Sequence, residues 1–260
     1  MVKKNPISIS QRYDLIKVFT TVLVVFGHAS RMYTGAGVIT PANPSKFLDL
    51  CTAIIYAFHM PLYICVSGMV YGFCIDELGK YRDVKKFVLT KTKRLLIPYL
   101  FWGIFYVAPI MVIFGFTKQS YLQYAINLII GKDSRHLWFI LCLFLIFIVC
   151  AIYREICRIF SFDENWIVIL LIGLFCNRMA NHIPNILCIN SLFQYFIWFY
   201  LGVLINRYSN RYRYLNVLIS LPVRVLLFVC FPLSYFILVK PWQRFLPFFL
   251  SIASRLHSIV

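Results

Sequence analysis

Eight apolar runs, near residues 14–32, 50–74, 95–116, 137–153, 166–182, 186–206, 216–239 and 243–260, leave this chain few folds to choose from. Most approach the roughly 20 residues that an α-helix needs to cross a hydrocarbon core about 30 Å thick. A helix satisfies its own backbone hydrogen bonds, so it is the default element in lipid. The expected fold is therefore all-α: a polytopic transmembrane helical bundle of about eight spans. The fifth run is the weakest, because its clean apolar part ends at Cys176. A further run, Tyr121–Ile130, is too short to span and is expected to be re-entrant or interfacial. No internal repeat or linker interrupts the sequence, so one integral-membrane domain is expected over 1–260.

The net charge of +17 would suit a nucleic-acid ligand if the charges lay together on one solvated face. In a chain that is 61% hydrophobic and 13% charged they instead flank the apolar runs, so the expected partner is a lipid bilayer and not a nucleic acid. With the N-terminus in the cytoplasm, sixteen Lys and Arg fall on the inner side and eight on the outer. The seven basic residues of 80–94, read as a loop, lead that excess and favour this orientation. The first run lacks a small-residue cleavage site and is followed by more spans, so it reads as a span and not as a signal peptide. The nine cysteines lie mostly inside apolar runs without a CxxC pair. They read as small buried hydrophobes, with neither disulfides nor a metal site expected.

Within the first run Asp14, Lys17, Thr21 and His28 stand out. At 100° per residue they fall within about 60° of one another on a helix otherwise faced with Leu, Ile, Val and Phe. Ionisable groups inside a span cost a few kcal/mol and usually face a cavity or a partner. His28, about 21 Å along the helix from Asp14, can act as a general base, since a neutral imidazole takes a proton from a hydroxyl near pH 7. A histidine that only ties two helices together would look the same. On the second run, His59 precedes a proline expected to interrupt the helix, and Ser67-Gly68 offers a small surface for a ligand or another helix. Lys91 and Arg94 stand one turn apart at an expected helix start, with Lys93 between them. Such a group can grip phosphates or anchor a helix to anionic head groups. His136 and Trp138 open the fourth run, where interfacial aromatics are ordinary.

The order of these stretches says more than any one of them. Arg12-x-Asp14-x-x-Lys17 leads, after ten intervening residues, to His28. Phe58-His59-Met60-Pro61 and Ser67-Gly68 follow, then Lys91-x-Lys93-Arg94 running into Leu95-Leu96-Ile97-Pro98, then Leu137-Trp138-Phe139. The series resembles acyltransferase family 3 of membrane proteins, and especially its fucose 4-O-acetyltransferase-like branch, over roughly residues 11–145.

The resemblance implies a multi-pass enzyme of a bacterial inner membrane, N-terminus in the cytoplasm, that moves an acyl group, usually acetyl, onto a sugar hydroxyl. Surface polysaccharide, lipopolysaccharide or a lipid-linked precursor would be the acceptor, and acetyl-CoA the donor. It implies that His28 is the base, with Asp14 and Lys17 beside it, and that Lys91, Lys93, Arg94 and Ser67 face the donor. His59, His136 and Trp138 would then lie toward the acceptor. Lysine at 91, where the family motif has arginine, acts as a point charge and gives up a bidentate grip. The rival reading is a transporter or flippase for a glycan-related substrate, because ionisable residues in spans also mark transport paths. Family members have about ten spans, so this chain is expected to lack about two, with either weaker stability or a compensating homo-oligomer contact along the 216–260 helices.

Overall fold

The computed structural model describes residues 6–34, 41–161 and 164–211, with side chains from Asp14 to Tyr208. The last two apolar runs, and with them the expected oligomer contact, lie outside the described residues. Among the described residues every regular element is helical. We number them α1 (Pro6–Arg31), α2 (Lys46–Asp76), α3 (Val84–Ile113), α4 (Tyr121–Ile129), α5 (Trp138–Phe160), α6 (Trp166–Met179) and α7 (Ile189–Arg211).

Four of them are long and apolar enough to cross a membrane: α2, α3, α5 with the short turn Arg135–Leu137 before it, and α7. The first helix has 26 residues, but Asp14, Lys17 and Arg31 set it apart in polarity. The fifth apolar run yields α6, whose 14 residues reach only about 21 Å. Side-chain caps fix several helix starts: Asp83, Ser120 and Asn165 each accept from backbone N–H groups of the first turn.

Two sequence expectations are corrected. Residues 84–94 are not loop: α3 starts at Val84, because Asp83 caps it and Phe87, 2% exposed, anchors its first turns. Nor does Pro61 interrupt α2, which runs through it unbroken for 31 residues. A proline removes one N–H from the ladder, and unwinding further would strand more backbone groups where water does not reach them.

The chain divides into two compact units, Met1–Tyr63 with Tyr208–Val260, and Ile64–Arg207. In the first, α1 packs through small residues. Thr20, Gly27 and Ser30 are buried, and a Cβ on Gly27 would press on Ile55 and Tyr56 at 3.1–3.2 Å. The Ser30 and Thr52 hydroxyls, 2.7 Å apart, join α1 to α2.

In the second unit Tyr99, Tyr124, Leu128, Leu141 and Cys188 centre a core drawn from α3, α4, α5 and the segment before α7. The tightest approach is between α2 and α7. A Cβ on Gly68 would overlap the Phe199 carbonyl, and one on Gly202 would overlap the Cys65 carbonyl. Such backbone-to-backbone packing of small residues is a usual way for helices to associate in lipid. Helix α3 contains two π turns, Thr92–Leu96 and Gly103–Val107. Its buried residues Tyr99, Gly103, Val107 and Met111 recur every four positions, a spacing that the wider π turn keeps on one side.

Candidate active site

The polar stripe of α1 forms as a stripe because the helix is continuous from Pro6 to Arg31. Asp14 and Lys17 pair at 3.6 Å, and Thr21 turns its hydroxyl back onto the Lys17 carbonyl at 2.8 Å. His28, exposed on α1, meets a residue that sequence reading did not single out: its Nδ1 lies 3.1 Å from the Tyr56 hydroxyl, with the two rings edge to face. Gly27 makes this possible, since its bare Cα lets α2 approach at Tyr56. The Arg31 guanidinium lies 5.1 Å from the centre of the Tyr56 ring, and His59 packs against that ring with centroids 4.8 Å apart.

His59 is 2% exposed and its Nδ1 is 2.8 Å from the Ile55 carbonyl. A carbonyl only accepts, so Nδ1 carries the proton and the ring is oriented by its own helix. His28, Arg31, Tyr56 and His59 thus form one cluster. The signal for Tyr56 was present in the sequence, three residues before His59 and therefore on the same face of α2.

The residues expected on the donor side, Ser67, Lys91, Lys93 and Arg94, lie in the second unit. Lys91 sits among aromatic rings, with Nζ 3.7 Å from the Phe147 centroid and 5.4 Å from those of Tyr81 and Phe87. Cation–π contacts of this kind are worth from about 0.5 to 2 kcal/mol, more when desolvated. Tyr81, in a left-handed conformation at φ 65°, is held by the Arg154 guanidinium donating to its carbonyl and by stacking on Tyr71. Burial pushes the Tyr81 phenol up to about 12, so the ring beside Lys91 stays neutral. The π turn at Thr92–Leu96 means that Lys91 and Arg94 are not separated by one regular α turn. Lys93 and Arg94 are exposed. Ser67 is half-buried next to Gly68, whose small surface is taken by α7.

His136 is exposed in the turn Arg135–Leu137, and Trp138 begins α5. Trp138, but not His136, lines a polar cavity of about 320 Å³ with Asp133, Arg135, Asn185, Gln194 and Tyr195. The Trp138 and Tyr195 rings lie 5.2 Å apart at 30°, and Arg135 pairs with Asp133 at 3.3 Å. Tyr195 was not anticipated, because it meets Trp138 across 57 residues of sequence.

Removing the Tyr56 hydroxyl tests whether the cluster works as a unit. Tyr56→Phe keeps the ring beneath Arg31 and His59, so yield and stability should hold. Loss of one hydrogen bond to His28 should lower turnover by roughly tenfold, read as a fall in kcat at constant acceptor KM. An unchanged kcat would remove Tyr56 from the site.

A family model described as an acyltransferase domain, that of acyltransferase family 3, matches residues 11–258, and so runs well beyond the stretch 11–145 that carries the motifs. No curated protein and no solved structure matches the chain. The family match takes in both compact units, the α1 stripe, the His28–Tyr56 pair and the helices long enough to cross a membrane. The chain therefore belongs to acyltransferase family 3, and is a membrane acyltransferase of the kind that transfers groups other than amino-acyl groups.

Proposed function

We propose that the protein is an O-acetyltransferase of the fucose 4-O-acetyltransferase-like branch, moving acetyl from acetyl-CoA to a hydroxyl of a cell-surface glycan or its lipid-linked precursor. It would lie in a bacterial inner membrane with about eight spans and its N-terminus in the cytoplasm. The observation that carries the reading is the His28–Tyr56 pair on α1 and α2.

General-base work needs the tautomer in which His28 Nδ1–H donates to the Tyr56 oxygen, leaving the Nε2 lone pair for the acceptor hydroxyl. Nε2 takes that proton as the sugar oxygen attacks the thioester carbonyl carbon. The carbon–sulfur bond breaks, and the proton returns to the departing thiolate. Tyr56 orients the ring throughout.

The cavity at Trp138 and Tyr195 suits a saccharide, with aromatic surface beside amide and hydroxyl groups. Lys93 and Arg94 suit the phosphates of the donor. Neutralising both (Lys93→Gln with Arg94→Gln) should raise the apparent KM for acetyl-CoA about tenfold and leave that for the acceptor near wild type. A rise confined to the acceptor would move the donor site elsewhere.

Isolated membranes given acetyl-CoA labelled in the acetyl group should transfer label to glycan. Movement of glycan without label would favour a transporter or flippase instead. The orientation has its own check. A cysteine at Lys85, in an otherwise cysteine-free chain, should react with a membrane-impermeant maleimide only after cells are opened. Labelling in intact cells would invert the topology.

A further inference from the structure

A second cavity, of about 250 Å³, lies wholly within the Ile64–Arg207 unit, walled by α2, α5, α6 and α7. Its walls are apolar, with Val149, Ile169, Ile172, Leu192, Phe196 and Val203 among them. It has no part in the chemistry above. Left empty, an apolar void of this size forfeits contacts along every wall.

Three observations say what fills it. First, the cavity borders the outer surface of α6: Ile172 lines it and is still 54% exposed, beside exposed Val168, Leu171 and Phe175. In a membrane protein that surface meets lipid tails, so a hydrocarbon chain can enter sideways.

Second, Tyr200 lines the cavity, is 7% exposed, and its hydroxyl has no hydrogen-bond partner. A hydrogen-bond acceptor carried on a hydrocarbon chain answers both needs.

Third, the cavity also reaches a cluster of both charge signs. Arg207 bonds Asp76 through two nitrogens at 3.4 Å each and Glu164 through a third at 2.7 Å, and Arg154 lies in the same lining. Two cations and two carboxylates suit a zwitterion, with phosphate toward the arginines and ammonium toward the carboxylates. A polyanion such as coenzyme A would meet Asp76 and Glu164 as well. On α7, Tyr200 stands two turns before Arg207 and so shares a face of the helix with it, and both line the cavity.

We propose that this cavity seats one acyl chain of a zwitterionic aminophospholipid, its ester carbonyl accepting from the Tyr200 hydroxyl and its head group at the Arg207–Asp76–Glu164 cluster. The site is a lipid-binding one and does not depend on which sugar or acyl group the enzyme handles.

The test is native mass spectrometry of the full chain, stripped of lipid in detergent and then offered phosphatidylethanolamine, phosphatidylglycerol or coenzyme A. Wild type should retain one phosphatidylethanolamine in preference to the other two. Tyr200→Phe should bind it roughly tenfold more weakly, as expected for one lost hydrogen bond. Ile172→Trp, which fills the cavity from its exposed side, should abolish binding. Preference for phosphatidylglycerol or coenzyme A, or wild-type retention by Ile172→Trp, would overturn the proposal. If either variant fails to fold, the choice among the three ligands by wild type still decides it.

Discussion

Replacing His28 with alanine should cut acetyl transfer by roughly 10²- to 10⁴-fold, the usual contribution of a positioned general base. Membrane insertion and yield should stay near wild type, because His28 is exposed on α1 and buries little surface. Nor would the helix pair lose its anchor: the Ser30–Thr52 bond and the Gly27 contact lie on positions that the substitution does not touch. Transfer of labelled acetyl by membranes, normalised to folded protein, is the measurement. Wild-type rates would take His28 out of the mechanism, and loss of folded protein would assign it to packing instead. His28→Gln is a useful companion, since glutamine keeps a hydrogen-bonding group near Tyr56 but cannot serve as a base.

The second large effect is on stability. Gly202→Val should leave little folded protein, because even the first side-chain carbon would overlap the Cys65 carbonyl and approach the Met69 nitrogen. Overpacking of a close contact commonly costs about 1–3 kcal/mol, and more where the obstacle is backbone and cannot rotate away. Gly68→Val meets the Phe199 carbonyl in the same crossing. Once either substitution has forced α2 and α7 apart, the other should add little, so the double variant should be less unstable than the sum of the singles. Thermal unfolding in detergent reads this directly. Additive losses would mean that the two glycines serve separate contacts.

Much of the helical plan can be read from the sequence, for a simple reason. An apolar run in lipid satisfies its backbone best as a helix, so α2 and α7 fall close to runs visible beforehand, while α5 starts with its run and outlasts it to Phe160. The start of α3 was hidden because its first turns are basic and polar. What makes them helical is a cap at Asp83 and one buried ring at Phe87.

The stripe from Asp14 to His28 follows from periodicity alone, whereas its partner does not. Tyr56 reaches His28 from 28 residues away, and no local period announces such a meeting. Lys91 shows the same limit from the other side. Its charge suggested phosphate, but Phe147, 56 residues further along the chain, supplies the ring nearest to it. Ser67-Gly68 offered room for a ligand or a helix, and at Gly68 the neighbour is α7.

The two π turns of α3 alter what a change in chain length does there. In a uniform α-helix a residue can be traded for another and the screw keeps its pitch. Each π turn is an added residue accommodated without breaking the rod, so taking one out restores the plain screw. A π bond closes over five residues where an α bond closes over four, so the helix beyond the excision keeps about its original bearing, whereas the same cut in a plain α-helix would turn it by about 100°. Lys93 and Arg94 sit inside the first of these joints. The compass bearing of their charges is thus set by how many residues lie between Lys91 and Ile97 as much as by which residues they are. Removing Thr92 would shift Lys93 and Arg94 by one position against the first turns of α3, while the span from Ile97 onward keeps its place.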